Sequence, residues 1–83
     1  MNDSQQSSPR VVLYTRQGCH LCDKARQVLE HHGFTPLCVD IDTQPDLRAQ
    51  FGECVPVVEI DGQIRFRGSV EPVLLRRLLR NRN

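Results

Sequence analysis

The sequence predicts an α/β fold in which one mixed, four-stranded sheet is sandwiched by helices, in the order strand, helix, strand, helix, strand, strand, helix. Three observations carry this. The strand formers Val11-Val12-Leu13-Tyr14-Thr15 give way at Cys19 to helical spacing, where Leu21, Ala25, Val28 and Leu29 recur. Two further strand-like runs flank Asp61-Gly62, a strong two-residue hairpin signal. The last apolar stretch, from Val70 onward, returns to a helical period. Helices interleaved with strands, with a hairpin near the end, give a mixed sheet covered by helices.

The elements follow in order. The first strand is apolar for three residues, as in a strand covered on both faces, and Arg16-Gln17-Gly18 is its loop. Gly33 stands where the first helix needs a C-terminal cap. In the second strand Leu37, Val39 and Ile41 alternate with Cys38, Asp40 and Asp42. Pro36, lacking a donor, fits the strand's beginning or an edge, and Cys38 is expected in the core on the opposite face from Leu37 and Val39. Thr43, with Asp46 three residues later, resembles a helix start, and Leu47 and Phe51 lie one turn apart before Gly52. Pro56-Val57-Val58-Glu59-Ile60 and Gln63-Ile64-Arg65-Phe66-Arg67 form the hairpin. Ser69 is expected to cap the last helix, with Pro72 in its first turn. Its apolar positions are Val70, Val73, Leu74 and Leu78, with Leu75 and Leu79 widening the stripe.

At 83 residues the chain makes one domain, residues 10–83, behind a polar tail, residues 1–9, expected to be disordered. So short a chain buries about 60–65% of its unfolded surface and needs an economical core. Apolar residues make up 39% of it, without Trp, which suits an aliphatic core. A net charge of +1 provides no bulk field for nucleic acid or membrane. The tail has neither the basic leader nor the apolar run of a secretory signal. No stretch approaches the roughly 20 apolar residues that span a bilayer. A cytoplasmic, thiol-reducing location is expected. Four cysteines in such a chain point to redox chemistry or metal; in an oxidising compartment they would make two structural bridges.

Cys19 and Cys22 carry the chemistry. Their spacing puts both sulfurs in the first turn of a helix, close enough to join. The helix N-terminus offers unpaired N–H groups and partial positive charge to a thiolate. Arg16 lies just upstream and His20 between the two, bringing further cationic groups. A free thiol titrates near 8.5, and settings of this kind bring thiols to about 3.5–7.5. Cys19, at the helix tip, is the expected nucleophile and Cys22, further in, the resolving thiol. The competing reading of Cys-x-x-Cys is half of a zinc site, which needs two more ligands. Cys38 and Cys54 are not a second close pair, and His31 and His32 stand at the far end of the helix, so no metal site is expected.

The run from Val11 to Cys22 resembles the first strand and active-site loop of glutaredoxins. Val55-Pro56-Val57-Val58 followed by Asp61-Gly62 resembles their loop and hairpin opposite that site. The similarity extends from about Val11 to the last helix, and is nearer to short glutaredoxin-like proteins than to classical glutaredoxins. It implies a thioredoxin-like three-layer sandwich, with Pro56 in a cis peptide bond. It also implies a substrate site at Arg16, Val55, Pro56, Gly68 and Ser69. There Val55 would pair with an extended thiol substrate as a strand does, and Arg16 would meet a glutathione carboxylate. The activity implied is dithiol reduction of protein or glutathione mixed disulfides, with roles in electron transport and cell redox homeostasis. No bound cofactor is expected, and glutathione enters as a co-substrate. The expected partners are disulfide-containing proteins or glutathione, and a thioredoxin-type reductase as electron source, but no nucleic acid and no membrane. The chain is expected to be a monomer.

Departures from the pattern are informative. His20 and Leu21 replace the usual Pro and aromatic residue between the cysteines. Cys54 replaces a Thr before Val55-Pro56, and Arg67-Gly68-Ser69-Val70-Glu71 keeps one glycine of a Gly-Gly pair. Cys54 is read as a small packing residue, with a third redox thiol as the alternative; His20 and Cys54 are therefore candidate modulators. Arg76, Arg77, Arg80 and Arg82 fall at a helix C-terminus, where each positive charge is favoured by about 0.3–1 kcal/mol. They and His31 and His32 are read as a solvated, dipole-matching surface in preference to nucleic-acid contact, for which no binding motif is present, with an acidic partner as a further alternative. Two other functions compete with the enzyme: a glutathione-dependent iron–sulfur cluster carrier using Cys19, and a non-catalytic binding module that keeps the fold.

Overall fold

The computed structural model describes residues 9–52 and 54–80, the side chain of Leu79 excepted. Most of the tail, Arg82 and the Leu79 side chain thus lie outside the described residues. Strand β1 spans Val11–Thr15, β2 Leu37–Asp40, β3 Val57–Ile60 and β4 Gln63–Arg67. Helix α1 spans His20–His31, α2 Pro45–Phe51 and α3 Pro72–Arg80. The sheet order is β2-β1-β3-β4, with β1 parallel to β2 and antiparallel to β3, and β3 antiparallel to β4. This is the four-stranded mixed sheet the periodicities predict.

The three layers follow from alternation along the central strands. Leu13, Val58 and Ile60 face one side, where Ala25 and Leu29 of α1, Phe66, and Val70 and Leu75 complete the larger core cluster. Val57 and Tyr14 face the other, against Ile41 and against Leu47 and Phe51 of α2. Gly33 ends α1 as expected: at φ +90°, Gly33 N–H donates to Glu30 (3.0 Å) and Phe34 N–H to Leu29 (3.0 Å). The buried Phe34 shares a cluster with Leu29, so the polar and apolar parts of a Schellman cap are both present. Asp61 and Gly62 both have positive φ, +52° and +86°, as a type I′ hairpin requires.

Five expectations need correction. The second strand ends at Asp40, because Ile41–Thr43 coil into a 3-10 turn. The Asp40 carboxylate accepts the Asp42 N–H (2.9 Å), and the Thr43 hydroxyl donates to the Asp40 carbonyl (2.7 Å). Thr43 therefore closes that turn instead of capping α2, which starts two residues later with Pro45 as its first residue, where a missing N–H costs nothing. Ser69 lies in a bend ahead of α3; Glu71 supplies the first helical acceptor, to Leu75 N–H at 2.9 Å. With the helix starting there, Val70, Leu75 and Leu78 face inward, while Val73 and Leu74 are exposed. Cys38 is exposed too: β2 is an edge strand of the sheet. Among the described residues no helix is long and apolar enough to cross a membrane.

Candidate active site

Strand pairing gathers the predicted residues at one end of the sheet. β1 and β4 run toward that end and β3 away from it: Tyr14 sits opposite Val57, and Val57 opposite Arg67. The loop carrying Cys19, the Cys54–Pro56 segment and Gly68 therefore emerge side by side. Gly68 N–H ties the latter two together, donating to the carbonyls of Pro56 (2.7 Å) and Cys54 (3.1 Å). The Val55–Pro56 bond is cis.

Cys19 is the N-cap of α1, with extended backbone (φ −90°, ψ 106°). It is disulfide-bonded to Cys22, their Cα atoms 5.2 Å apart. The Cys22 backbone N–H donates to Cys19 Sγ at 3.1 Å, the position where a Ser or Asp oxygen ordinarily caps a helix. Once the bond is reduced, the same N–H and the helix dipole face a Cys19 thiolate, and a hydrogen bond to an ion is about twice as strong as one to a neutral group. Cys22 is 3% exposed whereas Cys19 is half-buried, so an incoming disulfide meets Cys19 first.

The flanking residues divide. His20 is exposed beside the pair and Ser69 is exposed on its bend. Arg16, expected to help the thiolate, is engaged elsewhere: Nε donates to Asp42 (3.2 Å) and Nη1 to the Gly52 carbonyl (3.1 Å). Asp42 also pairs with Arg48 at 3.4 Å. Both pairs are exposed and contribute little to stability, but they place two guanidiniums on a cavity of about 380 Å³ beside the loop. Cys54 is half-buried against the Ile41, Phe51 and Val57 cluster. Cys38 lines a cavity of about 320 Å³ that Cys22 and Arg26 also line. Among the described residues no three His, Cys, Asp or Glu side chains come together as a metal site.

Sequence reasoning missed Asp42 and Gly52, whose contacts with the loop are long-range, and Arg48, which joins them through Asp42. It also missed Tyr14, whose ring lies 4.7 Å from that of Phe51 and whose hydroxyl donates to Glu59 at 3.2 Å. Burial, then the charge of Glu59, then that hydrogen bond push the Tyr14 phenol above its ordinary value near 10. The chain has a single Tyr and no Trp, so ultraviolet absorbance titrates this group alone. The expected midpoint lies above 10, and Glu59→Gln should lower it without fully restoring the ordinary value, because burial is the larger cause. The unfolded phenol loses its proton first, so this group's contribution to stability is intact below pH 10 and declines as pH rises through the folded midpoint.

Residues 10–80 match the glutaredoxin-like domain family. The chain belongs to that family. It is 33% identical over 73 residues to the glutaredoxin-like protein NrdH of Escherichia coli, covering 83% of this chain and 88% of that one. The solved structure of E. coli NrdH-redoxin, described as having a thioredoxin-like activity profile, superposes with a TM-score of 0.64 over 83% of this chain and 93% of that one, at 29% identity. The structural genomics target XcR50 from X. campestris gives a TM-score of 0.74 over 88% of this chain and 99% of that one, at 31% identity. An uncharacterized Mycobacterium tuberculosis protein, Rv0508, is 41% identical over 66 residues, covering 69% and 68% of the two chains. Family, thioredoxin-like fold and the Cys19–Cys22 pair together support a thiol–disulfide oxidoreductase.

Proposed function

We propose that this chain reduces disulfides in proteins, and mixed disulfides with glutathione, by a two-thiol cycle in the cytoplasm. The observation that carries the reading is Cys19 Sγ as helix N-cap, accepting the Cys22 N–H. The Cys19 thiolate attacks one sulfur of the substrate disulfide and expels the other as a thiolate, leaving a mixed disulfide on Cys19. Cys22, as thiolate, then attacks Cys19 Sγ and expels the second substrate thiolate. The substrate gains two electrons and the protein keeps the Cys19–Cys22 disulfide. A fresh pair of thiols, from a thioredoxin-type reductase or from two glutathiones, restores the dithiol. This cycle would serve cell redox homeostasis and electron transport.

Substrate contacts belong to Val55, Pro56, Gly68 and Ser69, which share the end of the sheet with Cys19. A half-buried Val55 next to β3 suits strand-like pairing with an extended chain. Arg16 and Arg48 are the groups available to a carboxylate, at a net charge of +1 once Asp42 is counted. The single glycine at Gly68 and the thioredoxin-like profile of the E. coli relative favour the reductase as electron source.

The test supplies each donor separately. With reductase, both Cys19→Ser and Cys22→Ser are expected to lose turnover, because the reductase needs the intramolecular disulfide. With glutathione, activity surviving in Cys22→Ser would transfer the electron supply to glutathione. Full activity of Cys19→Ser with either donor would remove the proposal.

A further inference from the structure

We propose that the cleft between α1 and α3 binds an acidic peptide segment of the protein whose disulfide meets Cys19. The proposal rests on the reading that Cys19 exchanges with protein disulfides, and it names a feature of the partner. The cleft encloses about 700 Å³. Lys24, His31 and His32 of α1 and Arg76 of α3 line it, with Val28 and Pro72 as its apolar surface. No carboxylate lines it; Asp23, Glu30 and Glu71 stand on the same segments outside its walls. Among the described residues neither Lys24 nor Arg76 has a carboxylate partner, unlike Arg16 and Arg48, which share Asp42. Two unneutralised cations on the walls of one concavity concentrate positive potential there and attract a polyanion.

Size and surroundings select the class of anion. The volume lies in the range of built ligand sites, about 300–1,000 Å³, and exceeds a single small ion several-fold. The walls offer no Phe, Tyr or Trp on which a nucleic-acid base could stack. Position links the cleft to the chemistry. Lys24 follows Cys19 by five residues and His31 by twelve, which at 1.5 Å per residue places the cleft roughly 8–18 Å along α1 from the redox sulfur. An extended peptide advances about 3.3 Å per residue. Acidic residues some two to five positions from the reacting cysteine of a partner would therefore reach it.

The test separates binding from redox chemistry. The oxidised protein is titrated with a cysteine-free penta-glutamate peptide and followed residue by residue by NMR, at low and at high salt. Shifts are expected at Lys24, His31, His32 and Arg76, with binding weakened by salt and weakened about five- to tenfold in the double variant Lys24→Gln, Arg76→Gln. Reduction of a disulfide peptide with acidic flanks should then exceed that of a neutral-flanked one several-fold in kcat/KM, and the double variant should lose this gain. Binding indifferent to the double variant, or centred on Arg65 and Arg67, would overturn the proposal. So would tighter binding of a single-stranded oligonucleotide of equal charge at the same residues. Disulfide reduction without peptide binding overturns the cleft alone. Peptide binding without reduction by any donor overturns the redox reading, and with it the assignment of the peptide to a disulfide partner.

Discussion

Alkylation of Cys19 in the reduced protein is expected to fall about 5- to 60-fold between pH 7 and pH 5, whereas an unshifted thiol with a pKa near 8.5 loses about 100-fold over the same interval. The slope, not the rate at pH 7, is the informative quantity. Depressing a thiol's pKa raises the thiolate fraction but makes each thiolate less nucleophilic, with a Brønsted coefficient of about 0.4–0.5. At pH 7 the two effects largely offset one another. Below it, only a thiol held as thiolate by its surroundings stays reactive. The helix terminus contributes about 0.3–1 kcal/mol and a hydrogen bond to a charged acceptor about 1.5–3 kcal/mol. Both act on Cys19 as N-cap, through the Cys22 N–H.

Mass spectrometry after brief iodoacetamide pulses would resolve the cysteines individually. Cys22, at 3% exposure, should lag behind Cys19 at every pH. A slope at Cys19 equal to that of a small reference thiol would show that the cap does not activate it, and the order of attack proposed above would then fail. Arg16→Ala should leave this slope nearly unchanged, since its guanidinium is committed to Asp42 and the Gly52 carbonyl.

The parts of the site legible in the sequence are those set by local spacing. Cys19 and Cys22 three apart at a helix start, Gly33 after a helical run, and Asp61-Gly62 between strand-like runs each carry their own geometry. The errors arose where a neighbour in space decided the outcome. Cys38 reads as core by alternation, yet β2 is an edge strand, and which strand lies at an edge is a property of sheet order, not of the strand. Ile41 and Thr43 read as strand and helix cap because the Asp40 side chain, which turns the backbone between them, leaves no periodic signal. Ser69 has the right chemistry for a cap, but the bend fixed by Gly68 N–H on the Cys54–Pro56 loop delays the helix to Pro72. Asp42 and Gly52 meet Arg16 across more than 25 residues of chain, and no spacing rule reaches that far.

Phe51→Ala is expected to destabilise the domain by about 3–5 kcal/mol, a large share of the 5–15 kcal/mol available to a typical domain. Phe51 is 2% exposed, packs with Ile41 and Val57, and has its ring 4.7 Å from that of Tyr14. This cluster is small, with only three buried members among the described residues, so few neighbours can collapse into the space a deleted ring leaves. Leu29→Ala on the opposite face, in the larger cluster, should cost about 2–5 kcal/mol. Urea unfolding would give both values. The two differ in what they do short of unfolding. Cys54 packs against the Phe51 cluster, and the Cys54 N–H donates to the Phe51 carbonyl at 2.8 Å. Phe51→Ala should therefore speed alkylation of Cys54 under native conditions, whereas Leu29→Ala at equal loss of stability should not. Equal Cys54 labelling in the two variants would mean that the loop opens only with global unfolding, and that the Phe51 cluster has no separate part in positioning the segment opposite Cys19.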